Sequence, residues 1–133
     1  MIAPDILSTD LYFDNVAGPV YGLTHIMSKY LSMGMPLTEI IRKTTVSPAG
    51  ILGHPELGTL SVGSCADITV LDKVTGTFGF SDAGRAKMMG DKKLVCEMTI
   101  RNGKIVYDIN ARANVEWENA PEEYWHSPGV IRD

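Results

Sequence analysis

The first third of the chain shows a helical pattern of apolar positions. Apolar side chains recur at intervals of three or four residues after Gly18-Pro19, and Gly34 followed by Pro36 ends the pattern. Proline suits the first turn of a helix because its missing N–H has no partner there in any case. The spacing therefore predicts a helix with an apolar face made of Val20, Leu23, Met27, Tyr30 and Leu31.

A second amphipathic helix is predicted directly after Pro36. Glu39 and Lys43 are spaced i,i+4 on it, as a pair of opposite charges that supports a helix. Ser47-Pro48 is typical of a helix start and predicts a third, short helical segment that ends at Gly53. The apolar face of the second helix carries Leu37, Ile40, Ile41 and Thr44.

The middle of the chain changes to the alternation that is typical of strands. Residues 58–63 and 66–72 alternate and are rich in β-branched side chains, whereas residues 77–80 are a weaker strand candidate. Asn102-Gly103 lies between two alternating runs and predicts a type I′ hairpin, because both residues tolerate a positive φ. The expected order is thus one strand, helices, and then antiparallel strands.

The apolar run at residues 2–9 precedes the first helix and leads directly to Asp10. A strand, a loop and a helix in this order form the unit that delivers a catalytic acid to the C-terminal mouth of a β/α barrel. Since one strand cannot cover the apolar faces of the helices that follow it, we expect this part of the chain to belong to a larger assembly. Taken alone, Asp10 is more often a capping or loop acid than a catalytic one.

Composition narrows the classes of protein that are possible. The 133 residues are 44% hydrophobic and 21% charged, with a net charge of -4, which is typical of a globular protein and gives no reason to expect nucleic acid or an anionic membrane as partner. No apolar stretch approaches the length of a membrane-spanning helix. Cys65 and Cys96 stand alone, so we expect free thiols and a cytoplasmic protein.

Several segments, taken together, resemble the amidohydrolase superfamily. A Gly-x-Leu-x-x-Gly-x-x-Ala-Asp segment, residues 58–67, follows a Pro-Ala-x-x-Leu-Gly segment, residues 48–53, and this combination is characteristic of the superfamily. Ser8-Thr9-Asp10, Met27-Ser28-Lys29 and residues 100–106 extend the match, which runs from about residue 4 to residue 108. Within the superfamily, the chain most resembles the deacetylase branch related to dihydroorotases.

The resemblance implies an α/β plus β fold in three parts. Residues 1–54 would form the C-terminal end of a metallohydrolase barrel, that is, the last strand and helix of a TIM-type (β/α) barrel. Residues 55–109 would form a segment of a small β-sandwich, and residues 110–133 are expected to be an irregular C-terminal arm. The chain would then be the C-terminal portion of a larger two-domain fold.

The resemblance also implies a chemistry and a site residue. Members of the superfamily use one or two divalent metals, commonly zinc, held by an HxH pair, a carboxylated lysine or a glutamate, and two later histidines. An aspartate at the end of the last strand binds metal and transfers a proton from the attacking water, and Asp10 matches this position. Asp10 is accordingly the predicted catalytic and metal-ligating residue.

The chain departs from the family in its histidines. His25, His54 and His126 form no HxH pair, and we expect them to be surface or packing residues. A catalytic zinc typically takes three protein ligands and a water, which one aspartate cannot supply. We therefore expect that this chain alone does not retain zinc and is inactive.

The implied function is hydrolysis of a non-peptide C–N bond (amide or N-acyl), or of a related ester, through metal-activated water. The expected partners are a small-molecule substrate and either the missing N-terminal barrel portion or further copies of the chain. Two alternatives stay open: a non-catalytic stand-alone β module for interaction or scaffolding, and one half of a split hydrolase.

Among other charged residues, Asp67 and Asp72 are expected to form turns and Lys29 to be a solvated charge.

Overall fold

The computed structural model describes residues 4–13, 15, 18 and 20–123. Within these residues, helices come first in the chain and an antiparallel sheet follows, with its strands in the order β1-β2-β3. The elements are α1 (Leu23–Ser32), α2 (Leu37–Thr44), α3 (Val46–Ile51), β1 (Ile68–Ser81), β2 (Lys87–Arg101), β3 (Lys104–Asp108) and a 3-10 turn (Trp117–Asn119).

The predicted helices are confirmed, although the first one begins later than expected. Val20 lies outside α1, because Gly22 at the N-cap has a φ of 139°, a conformation that glycine adopts far more readily than other residues. Gly34 follows the end of α1 with a φ of 94° and reverses the chain toward α2. The Glu39–Lys43 pair forms as predicted, with 3.9 Å between Lys43 Nζ and Glu39 Oε2.

The strands differ more from expectation. β1 joins the two candidates at 66–72 and 77–80 into one strand that pairs with β2 from Ile68↔Ile100 to Ser81↔Lys87. The prediction of a strand at 58–63 is wrong, because these residues form a bend, an irregular stretch and a turn. Gly58 has a φ of 69° and passes so close to α2 that a Cβ on it would lie 2.6 Å from the carbonyl carbon of Thr45.

The Asn-Gly hairpin between β2 and β3 is confirmed. Asn102 and Gly103 have φ values of 49° and 76°, and Arg101 pairs with Lys104. Asp67 stabilises this turn, because its Oδ1 accepts a hydrogen bond of 2.7 Å from the N–H of Asn102. The expectation that Asp72 forms a turn is wrong, since Asp72 lies inside β1 opposite Val95.

The predicted barrel strand at residues 2–9 is not formed in the part of it that the structure describes. Residues 4–10 pair with no strand, and residues 1–3 lie outside the described residues. The segment packs on α2 instead, where the N–H of Leu7 donates to the carbonyl of Lys43 at 2.9 Å. Likewise, the sheet of the described residues is a single layer with α1 packed against β2, so a second sandwich layer is not shown.

The core lies where the helices meet the sheet. The buried cluster consists of Leu7, Met27, Ile40 and Leu94. Leu7 from the N-terminal segment thus belongs to the same cluster as Leu94 of β2. Partly buried apolar side chains surround this cluster: Tyr30, Leu31, Met35, Leu37 and Leu71.

The C-terminal region is irregular as far as it is described. Residues 110–123 contain turns and the short 3-10 turn at Trp117–Asn119. Tyr124 and Trp125, which were assigned to the same arm, lie outside the described residues, as does His126. None of the described helices has both the length and the apolar character that a membrane span requires.

Candidate functional site

Asp10 lies in a turn that is held by hydrogen bonds to its backbone. Its carbonyl accepts a bond of 2.8 Å from the Asn15 side-chain amide, and its N–H makes a long contact of 3.4 Å with Ser8 Oγ. Asn15 also ties the turn together, because its Oδ1 accepts the N–H of Tyr12 at 2.9 Å. The carboxylate of Asp10 is exposed and makes no hydrogen bond with any residue that the structure describes.

The segment before Asp10 is anchored to the body of the chain. Leu7 is 6% exposed and belongs to the core, and its N–H is bonded to the carbonyl of Lys43. Lys43 Nζ donates a second bond, of 2.6 Å, to the carbonyl of Pro4. Because these contacts fix the chain three residues before Asp10, the backbone that presents the carboxylate has a defined path.

Apolar side chains next to Asp10 face away from the core. Leu11 and Tyr12 are exposed, and Phe13 is 90% exposed, although these are residues that proteins usually cover. Adjacent exposed apolar side chains are typical of a surface that contacts another polypeptide or a ligand. Asp10 is therefore followed directly in the chain by three exposed apolar side chains.

The described histidines contact residues other than Asp10. His25 lies on α1 with its ring 5.1 Å from that of Tyr21 and 5.4 Å from that of Phe80, between centroids. Burial lowers the pKa of His25, and the nearby ammonium groups of Lys29 and Lys93 lower it further. His54 is exposed and contacts Glu56, with 3.0 Å between Nδ1 and Oε1. Both histidines occupy packing or surface positions.

The donor set does not match a complete metal site. Among residues 4–13, 15, 18 and 20–123, no three histidine, cysteine, aspartate or glutamate side chains come together in a group that could hold a metal ion. Asp10 contributes one carboxylate, whereas a catalytic zinc needs about three protein ligands. The described residues therefore do not hold the metal that the sequence resemblance implies.

Two lysines have roles that sequence patterns did not indicate. The expectation that Lys29 is a solvated charge is wrong, because its Nζ donates to the carbonyl of Ser81 at the end of β1. Helical spacing predicts Lys43 as one half of an i,i+4 ion pair, but it does not predict that Lys43 is only 8% exposed. Its second partner, the Pro4 carbonyl, is 39 residues away in the chain, so no local pattern could identify it.

Comparison with known proteins identifies the family. The model of the amidohydrolase family matches residues 4–107, which is most of the chain and includes both the Asp10 segment and the Asn-Gly hairpin. The chain therefore belongs to the amidohydrolase family.

Individual relatives agree with this assignment. A deacetylase from Brucella anthropi is 35% identical over 62% of this chain, and a deacetylase from Enterococcus faecalis is 33% identical over 77% of it. A solved adenine deaminase superposes with a TM-score of 0.73 and 32% identity over 78% of the chain. A solved dihydroorotase gives the same TM-score with 26% identity over 80% of the chain.

The chain spans only part of these proteins. It covers 20% of the length of the Brucella anthropi deacetylase and 28% of that of the Enterococcus faecalis protein. For the adenine deaminase and the dihydroorotase the covered shares are 28% and 29%. Most of the residues that make up each of these proteins therefore have no counterpart in the present chain.

Proposed function

We propose that this chain is the C-terminal portion of a metal-dependent amidohydrolase of the deacetylase type, with Asp10 as its catalytic carboxylate. The substrate class is a small molecule with a non-peptide C–N bond, amide or N-acyl, or a related ester. The observation that carries the proposal is the Asp10 carboxylate, which is exposed, without a partner among the described residues, and held in place through its backbone.

The part of the chemistry that this chain supplies is a proton acceptor. A carboxylate placed beside the attacking water can accept its proton and return it to the leaving amine, as general acid–base catalysis requires. The metal, which we propose to be zinc with Asp10 as one of its ligands, needs further ligands from outside the described residues. We therefore assign the reaction to the complete assembly and expect the isolated chain to be inactive.

The remaining partner is the polypeptide that completes the barrel. In this proposal residues 1–54 pack against it, residues 55–109 contribute to a β-sandwich, and residues 110–133 form an arm. The exposed side chains of Leu11, Tyr12 and Phe13 support this assignment, because they adjoin Asp10 and are uncovered within the described chain. The chain spans 20% and 28% of the lengths of the two deacetylases, so the rest of a protein of that size is large enough to cover these side chains.

The test is a comparison of two aspartates in a completed protein, that is, this chain joined to or reconstituted with the polypeptide encoded upstream. Asp10→Asn should leave folding intact and reduce the turnover of N-acyl substrates by about 10²–10⁴-fold, because an amide cannot accept the proton. Asp67→Asn is the matched control. It removes the charge of a carboxylate but keeps an oxygen that can accept the Asn102 N–H, and it should change stability slightly and turnover hardly at all.

Two outcomes would contradict the proposal. Near-full activity in Asp10→Asn would make Asp10 a loop acid. If the upstream sequence contains no HxH pair and the complete protein is inactive, the non-catalytic module is favoured. If an HxH pair lies on a separate neighbouring chain, the protein is one half of a split hydrolase.

A further inference from the structure

Lys43 is buried in a position where lysine is uncommon. It is 8% exposed as a residue, although Arg42 and Glu39 on the same helix have side chains that are 53% and 43% exposed. Lysine is rarely buried unless its ammonium group finds acceptors. Lys43 Nζ has two: it donates to the Pro4 carbonyl at 2.6 Å and lies 3.9 Å from Glu39 Oε2.

The main chain of Lys43 holds the same segment at a second point. Its carbonyl, near the end of α2, accepts the N–H of Leu7 at 2.9 Å. The Leu7 side chain then enters the core beside Ile40 from the same helix. One residue of α2 thus binds the N-terminal segment through both its side chain and its backbone.

We propose that Lys43 is a positioning residue that fixes the direction in which Asp10 is presented. This inference rests on the function proposed above, in which Asp10 is the reactive carboxylate. Ser8 and Thr9 alone separate the anchored Leu7 from Asp10, and Asn15 holds the turn on the other side. Lys43 does not contact the carboxylate and acts through the backbone of residues 4–7.

The anchor replaces the strand pairing that the sequence predicted for this segment. Residues 4–10 make no β-ladder bonds, and the two bonds to Lys43, together with the burial of Leu7, hold this segment. A charge-assisted hydrogen bond is stronger than a neutral one. The bond from the Lys43 ammonium group to the Pro4 carbonyl should therefore hold the segment more strongly than the backbone bond from Leu7 to Lys43. Its loss should loosen the segment while the helices and the sheet stay folded.

The test is NMR of the isolated chain with a charge-removing variant and a control one residue away. Lys43→Met removes the charge-assisted bond to the Pro4 carbonyl and leaves the backbone bond between Leu7 and Lys43 in place. Because the segment is then tied to α2 less firmly, we expect exchange of the Leu7 amide to be about tenfold faster, in line with the net value of one hydrogen bond. We also expect a lower ¹⁵N order parameter at Asp10. Lys43→Arg keeps a cationic donor and should restore most of both. Arg42→Met removes an exposed cation from the same helix and should change neither.

The amide of Leu94 in the buried core serves as an internal reference for global unfolding. Equal acceleration at Leu7 and Leu94 in Lys43→Met, or an unchanged Asp10 order parameter, would overturn the positioning role. These readouts need neither metal nor turnover. A negative NMR result would therefore refute the role of Lys43 without affecting the assignment of Asp10. Conversely, a negative result in the Asp10→Asn activity test would not affect the evidence that Lys43 holds the segment.

Discussion

The hydroxyl of Ser28 accepts a hydrogen bond of 2.9 Å from the backbone N–H of Leu94, so a side chain of α1 provides the acceptor for a backbone donor of β2. Both residues are essentially fully buried, at 0% and 2% exposure. Ser28 also donates to the carbonyl of Thr24, one turn earlier in α1. Since β3 pairs with β2 only from Met98 onward, α1 covers part of the β2 edge that no strand occupies.

Removal of this hydroxyl should destabilise the fold. In Ser28→Ala the N–H of Leu94 stays buried without an acceptor, which typically costs about 1–3 kcal/mol. Ser32→Ala is the matched control on the same face of α1. Its hydroxyl donates to the Lys92 carbonyl at 3.1 Å from a half-buried position, so its loss should cost less, about 1 kcal/mol. Urea unfolding measures both, and equal effects would contradict the assigned role of Ser28.

The contact between α1 and β2 also predicts an effect at Gly90. A Cβ there would lie 2.6 Å from Ser32 Cβ and 2.8 Å from Phe80 Cε2, so Gly90→Ala must push the helix from the sheet. We expect a loss of about 1–3 kcal/mol from this overpacking. In Gly79→Ala the new atom would lie 3.5 Å from the flexible Lys87 side chain, and the change should stay within about 0.5 kcal/mol. Thermal unfolding of the two variants checks the difference, and a neutral Gly90→Ala would refute the close packing.

The lowered pKa of His25 predicts a loss of stability in weak acid. Burial and the charges of Lys29 and Lys93 disfavour the protonated ring in the folded state, whereas the unfolded chain binds the proton near the ordinary pKa of 6.5. The unfolded state therefore gains protons first as the pH falls, and the free energy of unfolding declines from pH 6.5 downward. Below the folded-state pKa this decline ends.

Urea unfolding at about pH 7.5 and about pH 5.5, above the range where carboxylates titrate, isolates this effect. His25→Gln should lose the decline, while His54→Gln, at an exposed position, should keep it. A wild-type free energy of unfolding that is constant over this range would contradict the assignment.

Metal analysis provides a further prediction. After dialysis, the isolated chain should contain no stoichiometric zinc, because Asp10 is one carboxylate and the described residues offer no group of three donors. Tightly held zinc in a one-to-one ratio would show that residues outside the described ranges complete a site, and would end the expectation that the chain needs a partner for its metal.

Features set by neighbouring residues could be predicted from the sequence, and features set by distant partners could not. The Asn102-Gly103 turn follows from two residues that tolerate a positive φ, and the Glu39–Lys43 pair follows from helical spacing. By contrast, residues 87–98 of β2 contain lysines, methionines and a glycine in no alternating pattern. Pairing with β1 makes them a strand, and such context regularly outweighs intrinsic preference.

The same distinction explains the candidate site. Asp10 is a prediction that combines the polar end of an apolar run, which is visible in the sequence, with the family resemblance of the segments that follow it. The residues that hold its segment were not found. Lys43 bonds to the carbonyl of Pro4, which lies 39 positions away in the chain, and only folding brings the two together.

The backbone of Asp10, with a φ of 47°, limits which substitutions can test its side chain. Aspartate and asparagine enter this left-handed region more readily than most other residues that carry a Cβ. Alanine or glutamate at position 10 would therefore change the conformational energy of the turn as well as the carboxylate, and an alanine scan would overstate the chemical importance of the residue. Asparagine changes the charge and leaves the turn intact, so it alone among these replacements separates chemistry from conformation.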